Sequence, residues 1–195
     1  KTSKIIVFDN IGIYSSPRVW WMFKIMGHYN ISVLNGGLPE WINKGFPTDN
    51  RKTENYKLGN IKATIQKQFV KSYKDVLDNL RTKSFNIIDA RSEGRFKGVD
   101  KEPRKHLKSG HIPDSINIPY GKVLDNGKFK TELELKKIFD KKCTGEKDLV
   151  FSCGSGLTAC IVMMASEIIH KKSKNIYDGS WSEWAELQNL KENVV

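Results

Sequence analysis

The fold is decided by the stretch Asp148-Leu149-Val150-Phe151-Ser152-Cys153-Gly154-Ser155-Gly156-Leu157-Thr158-Ala159. Its first five residues form an apolar strand pattern, and an apolar helical pattern begins after Gly156. Cys153 therefore lies where a strand turns into a helix. Backbone N–H groups converge at the start of a helix and carry the positive end of its dipole, so an anion is favoured there. We expect Cys153 to be a nucleophilic thiolate, with the hydroxyls of Ser155 and Thr158 as further donors.

A buried thiol that only fills core space is the alternative interpretation of Cys153. Cys160 fits that interpretation better, because it lies on an apolar helical stripe with Ile161 and Met164. The chain has three cysteines, without a CxxC pair or His/Cys ligand spacing, which argues against a zinc site and against a disulfide scaffold. Reduced cysteines favour the cytoplasm over secretion, with an organelle left open.

The chain contains an internal repeat. Residues 33–41 align with residues 176–184, since each segment is a strand end, an Asn/Asp-Gly turn and a helix that carries Glu-Trp. At nearly the same offset, residues 5–9 align with residues 149–153, which puts Asp9 where the second copy has Cys153. The first copy therefore cannot carry out thiol chemistry.

A helix is predicted between the two strands of the first copy. It should begin with Ser16 as the N-cap and Pro17 in the first turn, and end at Gly27. Residues 1–46 would then supply two strands and two helices, which is little for a domain with its own core. Large aromatic residues in this part would lack partners: Trp20, Trp21, Phe23 and Trp41. We expect either that the chain is part of a longer protein or that residues 1–46 pack on another unit.

The rest of the chain alternates helices and strands. Helices are expected at about 73–81, 132–139, 157–169 and through 184, and strands at 85–89, 115–118, 148–152 and 175–177. This alternation predicts an α/β fold, a mostly parallel sheet with helices on both faces and ligands at the carboxyl edge of its strands. Residues 47–68 are polar without a core stripe, which is typical of a linker.

Further motifs extend over most of the chain. They are Tyr14–Met22, Leu34–Gly37, Asp89–Ser92, Gly94–Phe96, Glu102–Arg104, Gly110–Pro113 and Asn117–Pro119. Together with the loop Cys153–Ala159, these motifs resemble the rhodanese superfamily and, within it, the mercaptopyruvate sulfurtransferases. The resemblance assigns residues 1–46 to the C-terminal part of a non-catalytic rhodanese-like domain, and residues 69–195 to a complete catalytic one.

The resemblance implies a transfer of sulfur without a cofactor or a metal. Cys153 would attack the sulfur of 3-mercaptopyruvate, release pyruvate and pass the outer sulfur of its persulfide to a small thiol, a thioredoxin-like protein or cyanide. Arg95 and Arg104 match the family's substrate-binding arginines, and the planar guanidinium suits a carboxylate. Without the family match they read as solvated loop charges. Ser155 would relay a proton, and the active-site loop would be completed by Gly154, Gly156, Leu157 and Thr158.

Three alternatives to this activity have distinguishable features. Family loops that favour thiosulfate carry basic residues after the cysteine, whereas Gly154-Ser155 is neutral, which favours mercaptopyruvate. A non-enzymatic sulfur carrier or binding module would transfer no sulfur to small thiols or cyanide. Phosphatases of the superfamily close the loop with an arginine that residues 153–160 lack.

The charge of the chain does not point to a nucleic acid. The net charge is +11, but no motif that reads RNA or DNA accompanies it, and the lysines are scattered among many asparagines and isoleucines. This pattern is typical of an AT-rich genome. No apolar run approaches the roughly 18 residues that a membrane span needs, so neither a membrane nor a nucleic acid is an expected partner.

Overall fold

A computed structural model describes residues 2–49, 58–169 and 173–192. The strands there are β1 (Ile5–Val7), β2 (Ile31–Val33), β3 (Val70–Lys71), β4 (Phe85–Asp89), β5 (Ile116–Asn117), β6 (Leu124–Asp125), β7 (Lys128–Phe129), β8 (Asp148–Ser152) and β9 (Lys174–Tyr177). The helices are α1 (Ser16–Ile25), α2 (Gly37–Asn43), α3 (Tyr73–Thr82), α4 (Glu93–Lys97), α5 (Glu132–Lys142), α6 (Leu157–Ile169) and α7 (Ser180–Glu192). The helices and strands alternate along most of the chain.

The larger sheet has five strands within the described residues, in the spatial order β3-β9-β8-β4-β5. All of its described pairings are parallel. Strand β8 lies at the centre, and the inner part of β8 is fully apolar and buried because a strand covered on both faces meets no water. This mixed α/β architecture confirms the predicted fold class.

A smaller sheet pairs β1 with β2 in parallel, with Ile5 opposite Ile31 and Val7 opposite Val33. The order β1-α1-β2-α2 is the same as the order β8-α6-β9-α7. Each segment also contains an equivalent hydrogen bond. The N–H of Leu38 donates to the Asp9 carbonyl at 2.8 Å, and the N–H of Trp181 donates to the Cys153 carbonyl at 3.0 Å. The aligned loops therefore have related backbone arrangements.

Helix α1 packs against α6, so one hydrophobic core joins the two segments. Trp20 and Trp21 are only 7% and 2% exposed in that core, and Phe23 packs at its edge. Trp20, Trp21 and Phe23 therefore have partners, because α6 is apolar on the side that faces α1 as well as on the side that faces the sheet, whereas Trp41 lies half-buried outside this core, against Phe46. Packing on another unit, the second possibility raised by the sequence, describes helix α1, and the first possibility stays a prediction.

Several predicted boundaries need correction. Helix α1 has Ser15 rather than Ser16 at its N-cap, and the Ser15 side chain does not cap the helix. Helices α5 and α7 run beyond the predicted ends, while β3, α4 and the β6–β7 hairpin have no counterpart in the prediction. Residues 50–57 of the predicted linker lie outside the described residues. The division into parts at 1–46, 47–68 and 69–195 stays a prediction.

Candidate active site

The loop between β8 and α6 places Cys153 at the carboxyl edge of the central strand. Cys153 is 2% exposed, whereas Ser155 is the exposed residue at the outer side of the loop. Gly154, Leu157 and Thr158 are half-buried and Gly156 is buried. The loop therefore forms the predicted strand-to-helix turn around the thiol, with one open side.

Cys160 is a different kind of thiol, as the sequence suggested. It lies inside α6, is fully buried and directs its Sγ at the Gly156 carbonyl at 3.3 Å. Burial raises the pKa of Cys160 to about 12, so this side chain stays a neutral core thiol at physiological pH. The nucleophile of the loop is therefore sought at Cys153.

Ser180 holds the loop from the turn between β9 and α7. Its Oγ accepts hydrogen bonds from the N–H groups of Cys153 and Gly156, both at 3.1 Å, and donates to the Tyr177 carbonyl at 2.9 Å. These two N–H groups fix the shape of the loop instead of facing an anion. The sequence did not identify Ser180.

The backbone of Ser180 is left-handed, with φ +54°, which is unfavourable for a residue with a Cβ. Its counterpart in the repeat is Gly37, with φ +57°. The turn itself therefore favours glycine, and the serine is accommodated where its hydroxyl joins both ends of the loop. An alignment of the two copies contains this signal, because a serine replaces a glycine at one position of the turn.

Arg18 reaches the same loop from α1. Its guanidinium pairs with both carboxylate oxygens of Asp178, with Nη2–Oδ2 at 3.1 Å, and Nη1 lies 3.4 Å from the Gly156 carbonyl oxygen. The guanidinium also lies over the Trp21 ring at 4.5 Å. Burial opposes the charge of Arg18, but the hydrogen bond and charge of Asp178 outweigh it and raise the pKa of Arg18.

Of the two predicted substrate arginines, Arg95 lies against Gly154 and Arg104 is linked to Gly154 through the Ser182 hydroxyl. A Cβ built on Gly154 would be 3.2 Å from Nη2 of Arg95. Arg104 donates from Nη1 to Ser182 Oγ at 2.8 Å, and that hydroxyl donates to the Gly154 carbonyl. The structure thus brings together two guanidinium groups and the cysteine loop, although they come from separate parts of the sequence.

A buried ionic cluster fixes Arg95. Glu102 accepts from Nη2 of Arg95 at 2.7 Å and from Nη1 of Arg91 at 2.9 Å, and its side chain is 2% exposed. Arg91 is itself buried and donates through its Nη2 to Asp89 at 2.7 Å. Since each buried charge has an opposite charge beside it, the cluster is a rigid support for the one arginine that extends to the loop.

Asp9 shows what the equivalent loop position does in the first copy. Its carboxylate accepts the N–H groups of Tyr14, Ser15 and Ser16 at 2.8–3.0 Å and both serine hydroxyls. Burial disfavours the charge, but these hydrogen bonds from Ser15, Ser16 and Tyr14 outweigh it and lower the pKa of Asp9 to about 2. The loop before α1 is therefore built around an anion, in the position that aligns with Cys153.

Two further properties concern the described residues 2–49, 58–169 and 173–192. No group of three or more His, Cys, Asp or Glu side chains among them is arranged to hold a metal ion. No helix among them is both long and apolar enough to cross a membrane.

The chain is similar to known sulfurtransferases. The 3-mercaptopyruvate sulfurtransferase of Mus musculus is 41% identical over 184 residues, which cover 92% of this chain and 62% of the relative. The thiosulfate sulfurtransferase of Rattus norvegicus is 40% identical over 185 residues with the same coverage. The crystal structure of SseA from Escherichia coli, described as a 3-mercaptopyruvate sulfotransferase with the rhodanese fold, matches with a TM-score of 0.80 and 32% identity over 92% of this chain and 67% of that one.

The chain thus spans 62% of the length of the mouse and rat relatives. The family described as the rhodanese-like domain matches residues 1–44 and 72–187, which include the Asp9 loop, the Cys153 loop and both arginines. On this match and on the fold, the chain is a member of the rhodanese-like domain family.

Proposed function

We propose that the chain transfers sulfur from 3-mercaptopyruvate to a thiol or cyanide through a persulfide on Cys153. The observation that carries this proposal is that Arg95 lies beside Gly154 and Arg104 is linked to Gly154 through Ser182, next to the cysteine at the start of α6. A nucleophilic sulfur beside two guanidinium groups suits a substrate that carries both a carboxylate and a transferable sulfur. The chemistry needs neither a metal nor a cofactor.

The first half-reaction breaks a carbon–sulfur bond. The Cys153 thiolate attacks the sulfur of 3-mercaptopyruvate, and the electron pair of the broken bond passes to the carbon, which leaves as the enolate of pyruvate. The enolate gains the proton that the substrate thiol loses, and we assign the relay of that proton to Ser155, the exposed hydroxyl of the loop. Cys153 is left as a persulfide anion.

The second half-reaction regenerates the Cys153 thiolate. An acceptor thiolate attacks the outer sulfur of the persulfide, the sulfur–sulfur bond breaks, and Cys153 leaves as a thiolate. The N–H groups of Gly154, Ser155, Leu157 and Thr158 are assigned to the anionic sulfur in both half-reactions. We assign a small thiol or a thioredoxin-like dithiol as the acceptor, which would approach from the side of Ser155, the exposed residue of the loop.

Two sulfur donors, 3-mercaptopyruvate and thiosulfate, are candidates for this site. The relatives include mercaptopyruvate and thiosulfate enzymes at almost equal identity, so identity does not separate these substrates. Gly154-Ser155 adds no charge after the cysteine, which supports mercaptopyruvate over the doubly charged thiosulfate. A sulfur-carrier module without catalysis is the second candidate. We assign the activity to a reducing compartment, the cytoplasm or an organelle, since the reaction requires Cys153 to be reduced.

The test is a reaction with 3-mercaptopyruvate in the absence of an acceptor. The intact mass should rise by one sulfur, about 32 Da, with release of one pyruvate per chain, and the Cys153→Ser variant should show neither. Thiosulfate is tested in parallel and should load the chain more slowly. Pyruvate release that is equal in the Cys153→Ser variant, or no loading by either donor, would contradict the proposal, and the second result would favour the carrier or binding module.

A further inference from the structure

Helix α1 contributes a charged side chain to the active-site loop of the other segment. The Arg18 guanidinium contacts two parts of that site at once: the Asp178 carboxylate in the turn after β9 and the Gly156 carbonyl at the start of α6. Its side chain is 25% exposed and lies over the Trp21 ring, so both the ring and the carboxylate restrict its position. Arg18 is therefore held in a fixed position beside Gly156 of the Cys153 loop.

The contacts of Arg18 are complementary to those of Ser180. Ser180 binds the N–H groups of Cys153 and Gly156. Arg18 instead binds the carbonyl of Gly156 and the carboxylate of Asp178. A Cβ on Gly156 would lie 3.0 Å from both Arg18 Nη1 and the Asp178 carbonyl oxygen. Gly156, Arg18 and Asp178 are therefore closely packed. Movement of the guanidinium would remove one contact from the turn and one from the loop.

We propose that Arg18 is a positioning residue for the Cys153 loop, so that α1 of the non-catalytic segment sets the geometry of the nucleophile. Arg18 acts through Gly156 and Asp178 and does not bind the substrate, which distinguishes it from Arg95 and Arg104. The kinetic part of this inference rests on the proposed function. The reactivity of the thiol does not, and it can be measured separately.

The experiment compares Arg18→Met with Lys24→Met. Lys24 is a matched control, since it also lies on α1, stacks over a tryptophan, Trp20, at 4.4 Å, and pairs with a carboxylate of the partner segment, Glu167, at 3.8 Å, without a contact to the loop. The rate of Cys153 alkylation by iodoacetamide is followed by peptide mass, and kcat and KM for pyruvate release from 3-mercaptopyruvate are measured. Unfolding midpoints show whether each variant is folded.

Arg18→Met should slow both the alkylation and kcat by about tenfold or more, because a misplaced reacting group alone can lower a rate a hundredfold. KM should change less than about twofold to threefold, since the substrate arginines are untouched. Arg18→Lys can keep the contact with Asp178 or that with Gly156 but not both, so it should restore part of the rate. Lys24→Met should react like the natural chain.

The inference is overturned if folded Arg18→Met keeps the natural alkylation rate and kcat. It is also overturned if Lys24→Met loses as much of the alkylation rate and kcat as Arg18→Met, because Arg18 would then be only a general contact between the segments. If Arg18→Met does not fold, Asp178→Asn keeps the shape of the pair and removes its charge. It should then give a smaller loss of the same kind, and no loss would count against the proposal. If no variant releases pyruvate, the natural chain included, the proposed function fails while the alkylation comparison still decides the role of Arg18.

Discussion

The Asp9 loop allows the preference of this kind of turn for an anion to be measured without catalysis. The change is Asp9→Asn, which keeps the shape of the side chain and removes its charge while the surrounding N–H and hydroxyl donors stay in place. We expect the variant to be less stable at neutral pH because an amide satisfies these donors less well than a carboxylate. The same preference is what we infer for sulfur at Cys153.

The pKa of Asp9 gives the magnitude. It falls from 3.8 to about 2 in the folded chain, and at 1.36 kcal/mol for each pKa unit the ionised carboxylate contributes about 2 kcal/mol. Because the folded value is the lower one, this contribution is complete well above pH 3.8 and is lost as the pH falls through about 2. The free energies of unfolding should therefore differ by about 2 kcal/mol at pH 7 and converge toward pH 2.

Urea unfolding followed by tryptophan fluorescence at several values between pH 7 and pH 3 would measure this difference. Asp78→Asn is the control, since it removes a half-exposed carboxylate paired with Lys74 and should change stability by less than about 1 kcal/mol. A difference of the same size at pH 7 and pH 3 would refute the reasoning, because it would trace the loss to packing and not to charge. No difference at pH 7 would refute it as well.

Changes at three further positions, Ser180, Gly156 and Arg104, test the site around Cys153. Ser180→Gly and Ser180→Ala both remove the hydroxyl, and each should slow alkylation of Cys153 about tenfold. Of the two variants, Ser180→Gly should unfold at the higher urea concentration, since glycine adopts the left-handed backbone without strain. The reverse order of unfolding would contradict this account. Gly156→Ala should destabilise the chain by about 2–3 kcal/mol in urea unfolding, because its Cβ meets Asp178 at a φ of +81°. Gly145→Ala, with a φ of +80° and open space around the new Cβ, isolates the backbone strain and should lose less, so equal losses would rule out the clash. Arg104→Met should raise KM for 3-mercaptopyruvate about tenfold in steady-state kinetics and leave alkylation by the uncharged iodoacetamide unchanged, and an unaltered KM would remove Arg104 from the substrate site.

The central part of the fold could be predicted because its sequence pattern is local. β4, β8 and α6 have the predicted bounds Phe85–Asp89, Asp148–Ser152 and Leu157–Ile169, as expected for apolar runs bounded by turns. The two-residue strands β3, β6 and β7 were missed since such short segments show no period, whereas β5, of the same length, was predicted within residues 115–118. Pairing with a neighbouring strand defines them, and that pairing is a property of the folded chain.

The site could be predicted only where a motif is continuous or matches a family. The Cys153 loop lies in one stretch, and Arg95 and Arg104 came from the resemblance. Arg18 was missed because its partner Asp178 is 160 residues away along the chain, and no local pattern marks such a contact. The cap of α1 was assigned to Ser16 because a serine before a proline is a typical N-cap. In the structure, the carboxylate of Asp9, earlier in the chain, accepts the N–H group of Ser16.

The two aligned loops are stabilised by different groups, and this difference limits what a single substitution can do. Ser180 supports the Cys153 loop with a hydroxyl from outside, while the first copy has Gly37 at that position and relies on the carboxylate of Asp9 from inside. A mutation of Asp9 to cysteine would remove the internal anchor without creating the external one. Thiol chemistry in the first loop thus needs coordinated changes at both positions, and no single substitution supplies it.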